Sequence, residues 1–278
     1  MSSELIVIVL ALLQGLAEFL PISSSGHLAL AQSIFGLTEP EVALNIVLHL
    51  ATLLAVVIFY RRSIIELILE LKYLPDLLRG GLPSLATMYR SRPNFRFICL
   101  ICVASLPTGI IGISLRKVFV DLSASTLAVG LALLFTGCVL KISARKSGDT
   151  GRDIAEMTVK DALFIGLMQG LAITPGISRS GMTIATALLR GLRRDLAAKF
   201  SFILSMPAII GALIIELLSG GESSFSLSEF ALGFAVAAVS GYLALTLLVW
   251  IINKNSFGKF AYYCWAVGLA AIIWSLCV

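Results

Sequence analysis

Apolar residues run almost unbroken through six stretches that contain no Asp, Glu, Lys or Arg: Val42 to Tyr60, Ile98 to Leu115, Leu122 to Leu140, Phe200 to Ile215, Phe230 to Asn253 and Phe260 to Val278. A helix that crosses roughly 30 Å of hydrocarbon needs about 20 mainly apolar residues, so each stretch predicts one transmembrane helix. Two further apolar regions, around 5–38 and 162–189, are interrupted midway by Pro, Gly and clusters of Ser or Thr. Such residues break the helical hydrogen-bond ladder, and unpaired backbone is tolerated at membrane depth only inside protein or beside a wet cavity. These two regions therefore predict re-entrant helical hairpins whose breaks line a site.

The two breaks repeat each other. Gln14-Gly-Leu-Ala-Glu-Phe-Leu-Pro-Ile-Ser-Ser-Ser-Gly-His27 aligns without a gap on Gln169-Gly-Leu-Ala-Ile-Thr-Pro-Gly-Ile-Ser-Arg-Ser-Gly-Met182, with eight of fourteen positions identical. Shared hydrophobicity alone does not produce that match. The pattern predicts an all-α polytopic membrane protein: six transmembrane helices plus two re-entrant hairpins in an inverted-topology repeat. The chain reads as a single membrane domain over 1–278, with repeat one about 1–141 and repeat two about 159–278. Broken helices from opposite repeats meet near the midplane in such folds, which places the site where they meet.

Composition agrees, since 58% of the 278 residues are hydrophobic, only 13% are charged, and mean hydropathy is +0.99. An ordinary soluble domain, a disordered chain and a small disulfide scaffold are all excluded. The net charge of +5 comes with no basic tail, so nucleic acid is not an expected partner. Instead the charge orients the protein. Of 21 Lys and Arg, 18 fall within 61–96, 141–160, 190–199 or at Lys254 and Lys259. With six crossings and two hairpins that return to their own side, all of these share one face, which the positive-inside rule makes cytoplasmic. The termini, Glu39, Glu41, Asp121, Glu222 and Glu229 then face outward. Glu4 in place of a basic leader marks the N-terminus as mature protein. Cys99, Cys102, Cys138, Cys264 and Cys277 all lie in apolar runs and read as packing residues; the Cys99-x-x-Cys102 spacing sits in the wrong surroundings for redox or zinc chemistry.

Candidate chemistry concentrates at the breaks. Gln14 and Glu18 are four apart, hence on one helix face, and could hold a divalent cation, Mg2+ or Ca2+, with help from substrate oxygens. Arg179, a permanently charged planar donor inside an apolar repeat, suits bidentate capture of phosphate. Ser23, Ser24 and Ser25 before Gly26, and Ser178 and Ser180 around Arg179 before Gly181, mark turns that aim backbone N–H groups and a positive helix end at an anion; Thr183 follows one turn later. His27 stands three residues after Ser24 and offers a base or a nucleophile. His49, deep in a span with no motif around it, reads as structural, bonded to a neighbouring helix.

On Gln14-Gly-Leu-Ala-Glu18, Pro21-Ile-Ser-Ser-Ser-Gly-His27 and Pro175-Gly-Ile-Ser-Arg-Ser-Gly-Met-Thr183, the chain resembles the integral-membrane undecaprenyl-diphosphatases of the bacitracin-resistance type. The resemblance implies hydrolysis of a polyprenyl diphosphate to its monophosphate, recycling the lipid carrier of envelope polysaccharide synthesis from a multi-pass position in the cell inner membrane. It implies an outward-facing site with Glu18, Ser24, His27 and Arg179 as essential residues, and a divalent cation. Gln14 fits the leading motif position with one carboxylate fewer than relatives that carry Glu. Ser24 as nucleophile, direct attack by His27 and attack by metal-bound water all remain open at this level, as does a homodimer. A secondary transporter or lipid-phosphate flippase is the alternative that inverted repeats alone would suggest, but a carrier has little use for a Ser24-x-x-His27 pair beside Glu18.

Overall fold

The computed structural model describes residues 2–35, 42–144, 151–219 and 225–277. The expectations that touch 36–41, 145–150, 220–224 and Val278, including Glu39, Glu41 and Glu222, lie outside the described residues. Within them every regular element is helical, apart from one isolated bridge between Arg152 and Leu192. The first half carries α1 (Ser3–Phe19), α2 (Ser24–Ile34), α3 (Val42–Phe59), α4 (Arg61–Glu70), α5 (Leu74–Ser91), α6 (Pro93–Ser114), α7 (Arg116–Ser123) and α8 (Thr126–Ser143). The second carries α9 (Val159–Leu171), α10 (Arg179–Leu189), α11 (Arg194–Ser219), α12 (Leu227–Asn253) and α13 (Phe260–Cys277).

Among the described residues, five helices are long and apolar enough to cross a membrane: Pro93–Ser114, Thr126–Ser143, Arg194–Ile215, Leu227–Asn253 and Phe257–Cys277. The pair Ala43–Phe59 and Arg61–Tyr73, bent by 81°, brings the number to six where the pair forms one span. These coincide with the six apolar stretches of the sequence. Large side chains such as Ile110, Ile113, Leu243 and Trp274 lie more than half exposed on their flanks, as a lipid-facing surface requires. Three cysteines expected to pack internally, Cys102, Cys138 and Cys277, are also exposed on such flanks, and only Cys264 is fully buried. None is in a disulfide.

Helix breaks occur where the Pro, Gly and Ser clusters predict them, between α1 and α2 and between α9 and α10, and within each pair the two helices pack on one another. The halves interlock rather than sit side by side: α1 packs chiefly against α12, and α9 chiefly against α6. Glycine permits both contacts. A Cβ on Gly15 would lie 2.0 Å from Ser240 Oγ and 2.8 Å from the Ala237 carbonyl oxygen, and one on Gly166 would lie 2.0 Å from the Ala104 carbonyl oxygen. Close backbone approach is how helices associate where lipid removes the hydrophobic drive between them. Thr108 bonds the second crossing, its hydroxyl bridging the Ala104 and Gly166 carbonyls at 3.1 and 2.9 Å.

The basic segments gather at one end. Arg96 donates to the Met157 carbonyl at 2.7 Å, and Asp161, fully buried in the first turn of α9, pairs with Arg152 at 3.0 Å and Arg190 at 2.6 Å. Residues 61–91, where charge argues against a span, form α4 and α5 instead. The run at 200–215 likewise extends back to Arg194, so that Arg194, Asp195 and Lys199 form the charged first turns of α11, where Asp195 pairs with Arg193 at 2.6 Å.

Candidate active site

The two breaks are built alike and cross-braced by the opposite half. Ser23 accepts a hydrogen bond from Gly26 N at 3.3 Å and so caps α2; Ser178 accepts from Gly181 N at 3.0 Å and caps α10. These are ordinary N-caps that satisfy otherwise orphaned donors. The carbonyl of Pro21 accepts from Cys264 Sγ on α13 at 3.4 Å, and at the matching position the carbonyl of Gly176 accepts from Thr136 Oγ1 on α8 at 3.1 Å. Thr136 also accepts from Ser178 N at 3.2 Å. Ser180 ties one break to the other, donating to the Leu20 carbonyl at 3.3 Å.

At this seam Glu18 collects three donors. Arg179 Nη2 pairs with Glu18 Oε1, while Ser24 Oγ donates to Oε2 at 2.6 Å and Gln14 Nε2 to the same oxygen at 3.1 Å. The matching Gln169 instead knits the scaffold, donating to Thr108 Oγ1 at 3.3 Å and the Leu204 carbonyl at 3.4 Å. The repeat diverges chemically because position 18 carries a carboxylate where position 173 carries isoleucine. His27 does not meet Ser24. Its Nδ1 lies 2.8 Å from the Ser23 carbonyl oxygen and its Nε2 2.9 Å from the Tyr263 hydroxyl. Ser23 adopts φ 70° and ψ 98°, a conformation costly for a non-glycine residue, while its carbonyl serves that ring.

Of the sequence-selected residues, Gln14, Glu18, Ser24 and Arg179 are in direct contact and His27 lies one helical turn on. The hydroxyls of Ser23, Ser178 and Thr183 are engaged in local bonds, Thr183 donating to the Arg179 carbonyl at 2.8 Å and meeting Ser201 Oγ. Ser25 is exposed, its Oγ 3.3 Å from that of Ser23. His49 bonds the Asn45 carbonyl of its own helix at 2.8 Å, not a neighbouring helix. Sequence reasoning did not select Thr136, Cys264, Ser201 or Tyr263. Only Thr136 left a signal, a hydroxyl in mid-span.

A small cavity lined by Glu18, Phe19, Arg179, Ser180, Ser201, Phe202 and Ser205 adjoins the ion pair, with free volume of about 10 Å³, room for about one water. For a cation, the described residues contain no cluster of three His, Cys, Asp or Glu side chains. Gln14 Oε1, however, is buried without a partner beside the carboxylate. That donor set fits an Mg2+-like ion completed by substrate phosphate, and does not make an all-protein cage.

The fold and these contacts define a polytopic, all-helical membrane protein with an acid–serine–arginine constellation buried where two broken helices meet. The chain belongs to the bacitracin resistance protein BacA family, whose model matches residues 7–270. It is 42% identical over 274 residues to an undecaprenyl-diphosphatase of Alkaliphilus metalliredigens, covering 97% of this chain and 98% of that one. Identity is 40% over 273 residues to the undecaprenyl-diphosphatase of Methanobrevibacter smithii, with 97% and 96% covered. It is 38% over 264 residues to undecaprenyl-diphosphatase 4 of Bacillus thuringiensis subsp. konkukian, with 94% and 93% covered.

Proposed function

We propose that the chain is a membrane phosphatase that hydrolyses undecaprenyl diphosphate, or a closely similar polyprenyl diphosphate, to the monophosphate and inorganic phosphate. The observation that carries this reading is the 2.6 Å bond from Ser24 to Glu18 with Arg179 on the other carboxylate oxygen. A nucleophile, its base and a phosphate-binding guanidinium thus share one buried point.

Ser24 opens α2 and attacks the terminal phosphorus, its proton passing to Glu18 Oε2. The bond from that phosphorus to the bridging oxygen breaks, and polyprenyl monophosphate leaves. Arg179 and the backbone N–H groups at the start of α2 stabilise the transferring phosphoryl group. In the second step water attacks the phosphoseryl group, His27 takes the water's proton, and Glu18 returns its own to Ser24 as inorganic phosphate departs. Two proton carriers for two proton transfers explain why Glu18 and His27 occupy separate positions. A divalent ion held by Glu18 and Gln14 Oε1 would neutralise phosphate charge when bound.

The positive-inside pattern supports a cytoplasmic location for 61–96, 141–160 and 190–199, and the contacts of Arg96, Arg152 and Arg190 with Met157 and Asp161 bring described parts of these segments together. That the site opens outward rests on the resemblance to the undecaprenyl-diphosphatases, whose substrate is left on the outer face after polymer export, and not on the charge pattern. Release of phosphate from farnesyl diphosphate by the purified protein in detergent tests the reading. A folded protein without turnover on farnesyl or longer prenyl diphosphates overturns it, and substrate binding without hydrolysis favours a carrier.

A further inference from the structure

The last helix of the chain brings a group to the site from 236 residues away. Tyr263, on α13, places its hydroxyl 2.9 Å from His27 Nε2 and stacks its ring on the imidazole, with centroids 5.7 Å apart and planes within 13°. The other ring nitrogen, Nδ1, lies 2.8 Å from the Ser23 carbonyl oxygen, which can only accept. In the neutral ring Nδ1 therefore carries the proton, and the Nε2 lone pair receives the phenolic O–H. His27 is buried, whereas Tyr263 is 44% exposed, so the phenol stands between the imidazole and the surroundings of the protein.

We infer that Tyr263 is the positioning residue for His27: the Ser23 carbonyl sets the tautomer, and the Tyr263 hydroxyl holds the ring in the direction in which the histidine presents its lone pair to the hydrolytic water. This rests on the reading of His27 as the base of the second step. Second partners of this kind decide which nitrogen of a working histidine is available. Two anchors on opposite ring nitrogens leave the ring no freedom to flip. They also keep Nε2 occupied by the phenol until a water replaces it. The neighbouring Cys264 holds the Pro21 carbonyl, so α13 sets both the backbone of the first break and the side chain that follows it.

A purely structural stack would survive loss of the hydroxyl, so Tyr263→Phe is the decisive variant, measured in the full-length protein in detergent. Its kcat on farnesyl diphosphate should fall about tenfold, near the upper end of what one neutral hydrogen bond supplies, with KM unchanged. A second readout does not depend on turnover. Diethyl pyrocarbonate modifies the imidazoles of His27 and His49, and peptide mass spectrometry reads their ratio, with His49 as internal reference. Tyr263→Phe should raise the His27 to His49 ratio by uncovering Nε2. An unchanged ratio overturns the inference whatever happens to turnover, and a raised ratio with wild-type kcat overturns it as well. Wild-type turnover in His27→Ala would instead remove the base role of His27, and the positioning role would fall with it while the ratio still reported the contact.

Discussion

Glu18 and Arg179 stand 161 residues apart in the chain and form an ion pair at the seam of the two broken helices, with the carboxylate side chain 4% exposed and the guanidinium 22%. Neither charge is stable alone at this depth, since removing one partner of a buried pair leaves an uncompensated charge. The cavity beside the pair holds about one water. In the proposed reaction, an entering diphosphate draws Arg179 from the carboxylate, which releases Glu18 to accept the Ser24 proton.

Arg179→Lys should fail nearly as badly as Arg179→Ala. A guanidinium makes two parallel bonds to adjacent phosphate oxygens, and an ammonium is a point donor of shorter reach. Loss of one preorganised donor costs about 10²- to 10³-fold in rate. Phosphate release at matched expression checks this, and near-wild-type hydrolysis by Arg179→Lys would sink the phosphate-clamp role.

Ser24→Ala should abolish turnover while leaving a folded, monodisperse protein by size exclusion, and Glu18→Gln should abolish turnover at some cost in stability, because Arg179 loses its counter-charge. His27→Ala should behave differently, accumulating a phosphoryl group on Ser24 because the second step loses its base. Acid quench followed by peptide mass spectrometry reads that adduct. Its absence from an otherwise inactive His27→Ala protein, with Ser24 intact, would return the histidine to the first step.

Turnover should require a divalent cation, because Glu18 offers the only carboxylate at the breaks and Gln14 Oε1 lies unpaired beside it. EDTA should stop phosphate release and added Mg2+ restore it. Gln14→Glu places a second carboxylate one turn away and should lower the cation concentration needed for half-maximal activity. Undiminished turnover in EDTA would remove the metal from the reaction.

Ala155 and Ala124, both exposed, lie on opposite faces in the proposed orientation. In a cysteine-free background, an impermeant maleimide added from outside should label Ala124→Cys and spare Ala155→Cys. The reverse pattern would invert the topology.

Gly166→Leu should destabilise the protein by about 1–3 kcal/mol, the usual range for overpacking, because its Cβ meets the Ala104 carbonyl oxygen at 2.0 Å and backbone cannot step aside cheaply. A lowered midpoint of thermal aggregation, with wild-type KM in the surviving fraction, is the expected signature. An unchanged midpoint would mean that α6 and α9 are not locked at this crossing.

The amino-acid order alone determined the spans and breaks, because both are local properties. Hydropathy over about 20 residues decides whether a helix can lie in lipid, and Pro, Gly and Ser clusters interrupt it wherever they fall. It also marked Gln14, Glu18, Ser24, His27 and Arg179, since charged and polar groups stand out against an apolar repeat. Local spacing did not reveal which of these touch. Ser24 and His27 are three apart at the start of α2, yet Ser24 turns to Glu18 on α1 while His27 turns back to the Ser23 carbonyl and across to Tyr263. Glu18 and Tyr263 lie on other helices, and only packing brings them to Ser24 and His27. The same is true of Thr136 and Cys264, whose bonds to Gly176 and Pro21 arise because α8 and α13 each lie against the opposite half's break. Their residue types are ordinary within a span, so their role exists only in three dimensions, where a buried carbonyl freed by a broken helix must find a donor on whichever helix the fold sets beside it.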